Sequence, residues 1–233
     1  MFYRYLSEQH ALDALQKRCW KVGRILELND PLDCRPVICQ DGKPLDPSAP
    51  LPPALRKTYE ALGVICYSQS IEDSVIWSHY GDKHAGIALG FEFSMQPPHR
   101  MKYPKDNKRL RINADELPPA YLSPKASAEE LGKSFLLKAH SWEYEQEFRH
   151  FTLLSECKMN GAHYFQRLPM ENLRRVVIGL HTKCSPYDIK QLLCPPDCEL
   201  GTHHTNVQIY KAKIDLEYYR VVLDNVSFDF ELD

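Results

Sequence analysis

No apolar run in this chain approaches the ~20 residues that a membrane-spanning helix needs. The opening Met1-Phe2-Tyr3-Arg4-Tyr5-Leu6 lacks the apolar centre of a signal peptide and soon becomes charged, so a cytosolic protein is expected. A net charge of only −2 leaves no global footprint for nucleic acid, although a local basic face stays open. No glycine-rich phosphate loop and no Gly-x-Ser-x-Gly elbow occur, so neither signature guides the reading. Internal repeats and low-complexity segments are also missing.

What is there suits a globular chain. Its 233 residues fit one large domain, and 43% hydrophobic content is enough for a substantial core. Eight cysteines would suit disulfides in a small secreted chain, but this chain is neither small nor visibly secreted, so reduced thiols are expected. Cys194, Cys198, His203 and His204 invite a zinc reading. Their spacing matches no common finger, and Pro195-Pro196 sits awkwardly between the cysteines, so no metal ligands are assigned.

Periodicity predicts mixed elements. Short strands are expected over Phe2–Tyr5, Cys19–Val22, Val64–Ser68, Met101–Tyr103 and Arg175–Gly179, with the strongest over Gly86–Phe93. Ser7 can cap a helix carrying Leu12, Leu15 and Cys19, Asp73 or Ser74 opens a short one, and Ser185-Pro186 opens another. An amphipathic helix over 128–139 would place Leu131, Phe135 and Lys138 on one face. Val207–Ala212 and Tyr218–Leu223 read as a strand pair. Long loops are expected near 41–53 and 104–126. The elements lack a regular βαβ rhythm. The expected fold is therefore α+β, a single domain over 1–233 with two small, mostly antiparallel sheets flanked by short helices.

Three stretches stand out. The first is Trp77-Ser78-His79-Tyr80-Gly81-Asp82-Lys83-His84-Ala85-Gly86, which crowds polar and ring-bearing side chains at the entry to a strand. Trp77 and Tyr80 could stack on a flat ring, and the glycines suit a close backbone approach to a ligand. A spacing of five between His79 and His84 is not the helical pair expected of metal ligands. The second is Trp142-Glu143-Tyr144-Glu145-Gln146-Glu147-Phe148-Arg149, read as the start of a long strand to Leu153. On it Glu143, Glu145, Glu147 and Arg149 share one face. Three glutamates at that spacing repel one another, which suits a solvated face, but Trp142, Tyr144 and Phe148 would hold this strand in the core, so a cleft is the reading for Glu145 and Glu147, with Arg149 orienting one carboxylate. The third is Asn29-Asp30-Pro31-Leu32-Asp33, a turn signal. The three are read as one site.

These residues resemble the bacterial domain-of-unknown-function family DUF2971. The resemblance rests on Tyr3-Arg4-Tyr5, Asn29-Asp30-Pro31-Leu32-Asp33 and Cys66-Tyr67-Ser68, then on Trp77-Ser78-His79-Tyr80-Gly81, His84-Ala85-Gly86 and Phe91. It closes with Lys138, the Trp142–Arg149 stretch and Val177-Ile178-Gly179. Leu32 stands where the family usually has Phe, and Phe148 where it often has Trp. The layout is more distantly similar to ADP-ribosyltransferases of the toxin and defence kind, which split NAD in a cleft. That similarity implies Glu145 or Glu147, with Arg149, as the catalytic group. By order along the chain it also places Tyr3, Arg4, Tyr5 and Tyr80 in the NAD site, and the three stretches add Asn29, Asp30, Trp77, His79 and His84 to the expected cofactor site. NAD would be the substrate, with a protein or nucleic-acid acceptor and no membrane partner.

Two other classes remain open. Asp30, Asp33, Glu145, Glu147 and the histidines could hold magnesium or manganese in a nuclease or phosphoesterase. The same cleft could instead bind a nucleotide or peptide without turnover, as a sensing module.

Overall fold

The structure is a computed structural model that describes residues 1–46, 50–114, 135–194 and 206–226. The chain is α+β, with short helices and strands in two sheets. Among the described residues two ladders are parallel, Leu173–Ile178 with Gln208–Ile214 and Val37–Gln40 with Arg111–Asn113. The other ladders described below are antiparallel. The chain divides into two compact units, each built from separated segments.

Unit 1 comprises Met1–Trp20, Tyr67–Pro97 and Arg167–Asp233. Its strands run in the order Phe2–Leu6, Ile87–Phe91, Leu173–Ile178, Gln208–Ile214, Val221–Asn225. Ile87–Phe91 is central and buried at every position, which is why its sequence is an unbroken apolar run. The pair expected near the C-terminus is an antiparallel ladder from Tyr210↔Asn225 to Ile214↔Val221.

One helix, Glu8–Lys17, starts where the Ser7 side chain accepts from the His10 N–H, and it buries Ala11, Ala14 and Leu15. The expected apolar face was Leu12, Leu15 and Cys19. Cys19 instead opens the next strand, because Arg18 turns into the left-handed region and ends the helix. A second helix, Pro186–Leu193, carries a full capping box between Ser185 and Asp188 and buries Ile189 and Leu193. A short helix, Ser74–Tyr80, is capped by Asp73, which accepts from the N–H groups of Val75 and Ile76.

Unit 2 comprises Lys21–Cys66 and Pro98–Gln166. Its core gathers Ile25, Cys34, Leu55, Tyr59, Leu62, Val64 and Phe135. Leu55 and Tyr59 come from the helix Pro53–Ala61. Gly63 lies against Val22, Thr152 and Leu154 so closely that a Cβ there would sit 2.4 Å from Val22 Cγ1. The strand Glu147–Leu153 pairs with His99–Arg100 through His99↔Arg149 and Arg100↔Phe148. Met101–Tyr103 was expected to be a strand. The regular pairing falls two residues earlier, and Lys102 makes only an isolated bridge to Leu137.

The long strand expected from Trp142 begins only at Glu147. His140–Glu145 is a 3-10 helix, ended by Gln146 at φ 44°. Glu143 is thereby turned out to solvent, and only Glu145, Glu147 and Arg149 are buried. Most of the helix expected over 128–139 falls outside the described residues. Within the rest, Lys138 is not helical but is buried.

Candidate functional site

The charged residues of unit 2 converge in its interior. Asp33, Lys138, Glu145, Glu147 and Arg149 are all buried, between 0% and 6% exposed. Burial of ions is costly unless each is paired and hydrogen-bonded, so their bonding decides what they can do.

Arg149 spends every N–H. Its Nε donates to Glu147 Oε1 at 2.6 Å, and Nη2 donates to Glu147 Oε2 at 2.9 Å and to Asp33 Oδ2 at 2.6 Å. Nη1 donates to Asp33 Oδ1 at 3.0 Å and to the Phe135 carbonyl at 3.2 Å, with Cys34 Sγ at 3.0 Å. The planar fork thus grips two carboxylates in the paired geometry that suits arginine and not lysine. Lys138 Nζ donates to Glu145 Oε2 at 2.5 Å and to Glu147 Oε2 at 3.1 Å, lies 3.8 Å from Asp33 Oδ2, and sits 4.7 Å above the centre of the Trp142 ring.

Local chain geometry builds this cluster. Asp30 Oδ1 accepts from the Leu32 N–H and the Asp30 carbonyl from the Asp33 N–H, a turn that carries Asp33 inward. Cys34 follows at φ 53°, its carbonyl held by the Tyr59 hydroxyl. The Glu147 N–H donates to Tyr103 Oη at 2.9 Å.

The electrostatics follow. Burial alone would raise the Glu147 carboxyl, but the charge and hydrogen bonds of Arg149, with Lys138 behind them, hold it down at about 2. Burial would lower Lys138, and Glu147 and Glu145 outweigh it, keeping the ammonium above the ordinary lysine value. Burial pushes the Cys34 thiol up to about 12 against the pull of Arg149, so this cysteine is no nucleophile.

A cavity of about 560 Å³ lies in the same unit, and Lys138 is one of its walls. Arg35, Lys108 and Arg109 also line it, with Leu32 and Leu137 among its apolar surfaces. Glu145 lies one hydrogen bond behind Lys138.

In unit 1, Tyr3, Tyr5 and Trp77 belong to the core. Trp77 is fully buried, its Nε1 donates to the Ile71 carbonyl at 2.7 Å, and its ring meets Tyr5 edge-on at 4.9 Å and His84 face-on at 6.3 Å. It has no open face for a ligand ring. Tyr5 Oη donates to the Ser70 carbonyl, Tyr3 Oη accepts from Arg175, and Arg4 lies over the Trp20 ring at 4.8 Å. Gly86 does serve a close approach, but to the chain itself: a Cβ there would lie 2.2 Å from the Leu6 carbonyl oxygen. His79 is exposed, and Tyr80 and His84 are half-buried. Burial, then His181, lowers the His84 pKa.

Glu145, Glu147 and Arg149, expected on one strand face, lie in one hydrogen-bonded cluster with Lys138. Sequence reasoning put Asn29 and Asp30 in a cofactor site, whereas Asn29 is exposed and Asp30 serves the turn. It named neither Asp33 nor Lys138 among the NAD-site residues: Asp33 entered through the third stretch and the metal reading, and Lys138 through the family resemblance. The available signal was a lysine on an apolar pattern beside Phe135, which a buried counter-ion explains. Of the cysteine–histidine group, Cys198, His203 and His204 lie outside the described residues. Among the described residues no group of three or more His, Cys, Asp or Glu side chains is arranged to hold a metal, and all seven described cysteines are free thiols.

Residues 76–150 match the model of a family described as a protein of unknown function, DUF2971. The matched segment contains Trp77, His84, Lys138, Glu145, Glu147 and Arg149, and ends just after the arginine of the cluster. No curated protein and no solved structure matches the chain. No helix among the described residues is long and apolar enough to cross a membrane.

Proposed function

We propose that this chain uses NAD, as an ADP-ribosyltransferase-like or NAD glycohydrolase enzyme. The unit 2 cavity is its ligand site and Glu145 its working carboxylate. One observation carries the reading: the buried Glu145 accepts at 2.5 Å from Lys138, which lines the cavity, whereas the Arg149 fork bonds Glu147 and Asp33. Glu147 and Asp33 are held by Arg149 and serve as scaffold.

The chemistry is coherent. Cleavage of the ribose–nicotinamide C–N bond leaves the electron pair on nicotinamide and positive charge on the ribose. A carboxylate beside that ribose stabilises the charge until water or an acceptor nucleophile takes its place. Lys138 orients the Glu145 carboxyl group through their hydrogen bond until the ligand arrives. Such an enzyme would act in the cytoplasm, and NAD depletion there would suit a toxin or phage-defence effector.

A second reading has its own support. Glu145 is only 3% exposed, which favours a site that binds a nucleotide without turning it over. The divalent-metal reading loses ground, because Arg149 and Lys138 already fill the coordination positions of the clustered carboxylates.

Incubation with NAD, with free nicotinamide followed by chromatography, separates the readings. Release by the wild type that is lost in a folded Glu145→Gln variant supports cleavage. Stabilisation of the wild type by NAD without any release, with candidate acceptors present, overturns cleavage in favour of sensing.

A further inference from the structure

The cavity in unit 2 has a pronounced charge bias. Four of its lining residues are cationic, Arg35, Lys108, Arg109 and Lys138, and none is acidic. Lys138 has its counter-ions inside the protein, and Lys108 lies 3.6 Å from Asp106 at the surface. Arg35 and Arg109 make no salt bridge among the described residues, and both also line an adjoining cavity of about 120 Å³ whose lining includes Asp46. Four cations lining one half-open cleft raise a positive potential that an incoming anion relieves.

Backbone hydrogen bonds hold the segments that carry these cations. The turn before Lys108 is closed by Asn107 N–H to the Pro104 carbonyl and by Lys108 N–H to Asp106 Oδ1. Asn107 Oδ1 accepts from the His140 N–H at 2.7 Å, and the Val37 N–H donates to the Leu110 carbonyl at 2.7 Å. Arg35 follows the Asp30 turn, with its own N–H on the Leu32 carbonyl. Apolar faces of Leu32, Leu110 and Leu137 complete the wall. Guanidinium forks suit phosphate oxygens, and apolar faces suit a sugar or base.

We propose that Arg35 and Arg109, with Lys108, bind the diphosphate group of a nucleotide in this cavity. The proposal rests on the cavity's being the ligand site of the preceding reading and adds which part of the ligand it grips. Lys138 is then a positioning residue, which faces the bound phosphates on one side and Glu145 on the other.

Calorimetric titration of the full chain with ADP-ribose, adenosine and inorganic pyrophosphate tests it, using the wild type and the Arg35→Gln and Arg109→Gln variants. Arg109 is exposed and Arg35 half-buried, so both variants are expected to fold, which circular dichroism checks. ADP-ribose should bind at least about tenfold more tightly than adenosine, and each variant should lose about tenfold or more. Rising salt should weaken binding further. Pyrophosphate binding that also falls in the variants locates the anion contact and supports the proposal. Equal affinity for adenosine and ADP-ribose overturns it, and so does ADP-ribose binding untouched in both variants. Nicotinamide release separates the two readings. Arginine-dependent ADP-ribose binding without NAD cleavage keeps this inference and ends the enzymatic one. Cleavage undiminished in Arg35→Gln and Arg109→Gln does the reverse.

Discussion

Arg149 and Asp33, 116 residues apart in sequence, are joined by two parallel hydrogen bonds, Nη1 to Oδ1 at 3.0 Å and Nη2 to Oδ2 at 2.6 Å. The same guanidinium holds Glu147 by a second pair. One side chain therefore ties the Asp30–Asp33 turn to the strand Glu147–Leu153 and fixes the floor on which Lys138 and Glu145 are arranged.

Removing that tie should be severe. Arg149→Leu leaves two buried carboxylates without their partner, a loss on the order of 3–5 kcal/mol. Arg149→Lys restores charge but not the fork, and should recover only part of it. Urea denaturation of both variants checks this. A Leu variant within about 1 kcal/mol of wild type would show that the pairs contribute nothing net.

The two glutamates should differ in the same way. Glu147→Gln turns an amide donor towards the Arg149 fork and also weakens the hold on Lys138, so it should destabilise by several kcal/mol, on the order of a broken buried pair. Glu145→Gln keeps an oxygen for Lys138 and should cost less, about 1–3 kcal/mol. Parallel unfolding curves decide the order. The reverse order would mean that Glu145, not Glu147, is the scaffold.

Acid should undo the cluster late. Glu147 is held at about 2 in the folded chain, below its ordinary value of 4.5. A depressed folded pKa gives stability that is fully present above the unfolded value and lost as pH falls through the folded one. The Glu147 contribution should thus be constant from neutral pH down to about 5 and disappear between about 4.5 and 2. Urea midpoints across this range should fall less steeply in Glu147→Gln. Identical slopes would show that other carboxylates govern acid unfolding.

Legibility followed the range of the interactions. Ile87–Phe91 could be read because its environment is written in its own five side chains, and Ser185-Pro186 could be read as a helix start because a cap is local. Gln146 gave no sign that it would turn at φ 44°, since nothing local requires it, and the strand was therefore started too early. Lys138 was legible only as an oddity on an apolar pattern, because the residues that make its burial tolerable lie at 33, 145 and 147. Asp33 was legible as part of a turn but not as the partner of an arginine far along the chain. Gly86 was rightly marked as a close-approach position, but what approaches is the Leu6 carbonyl.

Gly179 should be equally intolerant. A Cβ there would fall 2.4 Å from the His84 carbonyl oxygen and 2.6 Å from that of Gly86, and both are backbone atoms. The Gly179 N–H and the His181 N–H also donate to the Gly86 and His84 carbonyls. Gly179→Ala should therefore cost about 1–3 kcal/mol and lower the amide-exchange protection of residues 84–86. Unchanged exchange in a stable variant would count against the packing.

The loop before Gly86 offers a gain. Asp82, Lys83 and His84 stand in succession at φ 50°, 54° and 68°, a left-handed run that side chains with a Cβ resist. Their N–H groups are not idle: Lys83 donates to the Ser78 carbonyl and His84 to that of Trp77, so the chain cannot relax without breaking its helix end. The Lys83 side chain is exposed, which makes it the position where strain can be separated from packing. Lys83→Gly removes the steric cost and pays part of it back in unfolded-state entropy, leaving a net stabilisation of up to about 1 kcal/mol. Lys83→Val adds a β-branched chain where φ is positive and should destabilise by about 1–2 kcal/mol. The two variants measured side by side in urea should straddle the wild type. If valine were tolerated as well as glycine, the loop would carry no strain, and its conformation would owe nothing to the bonds that hold it against Trp77 and Ser78.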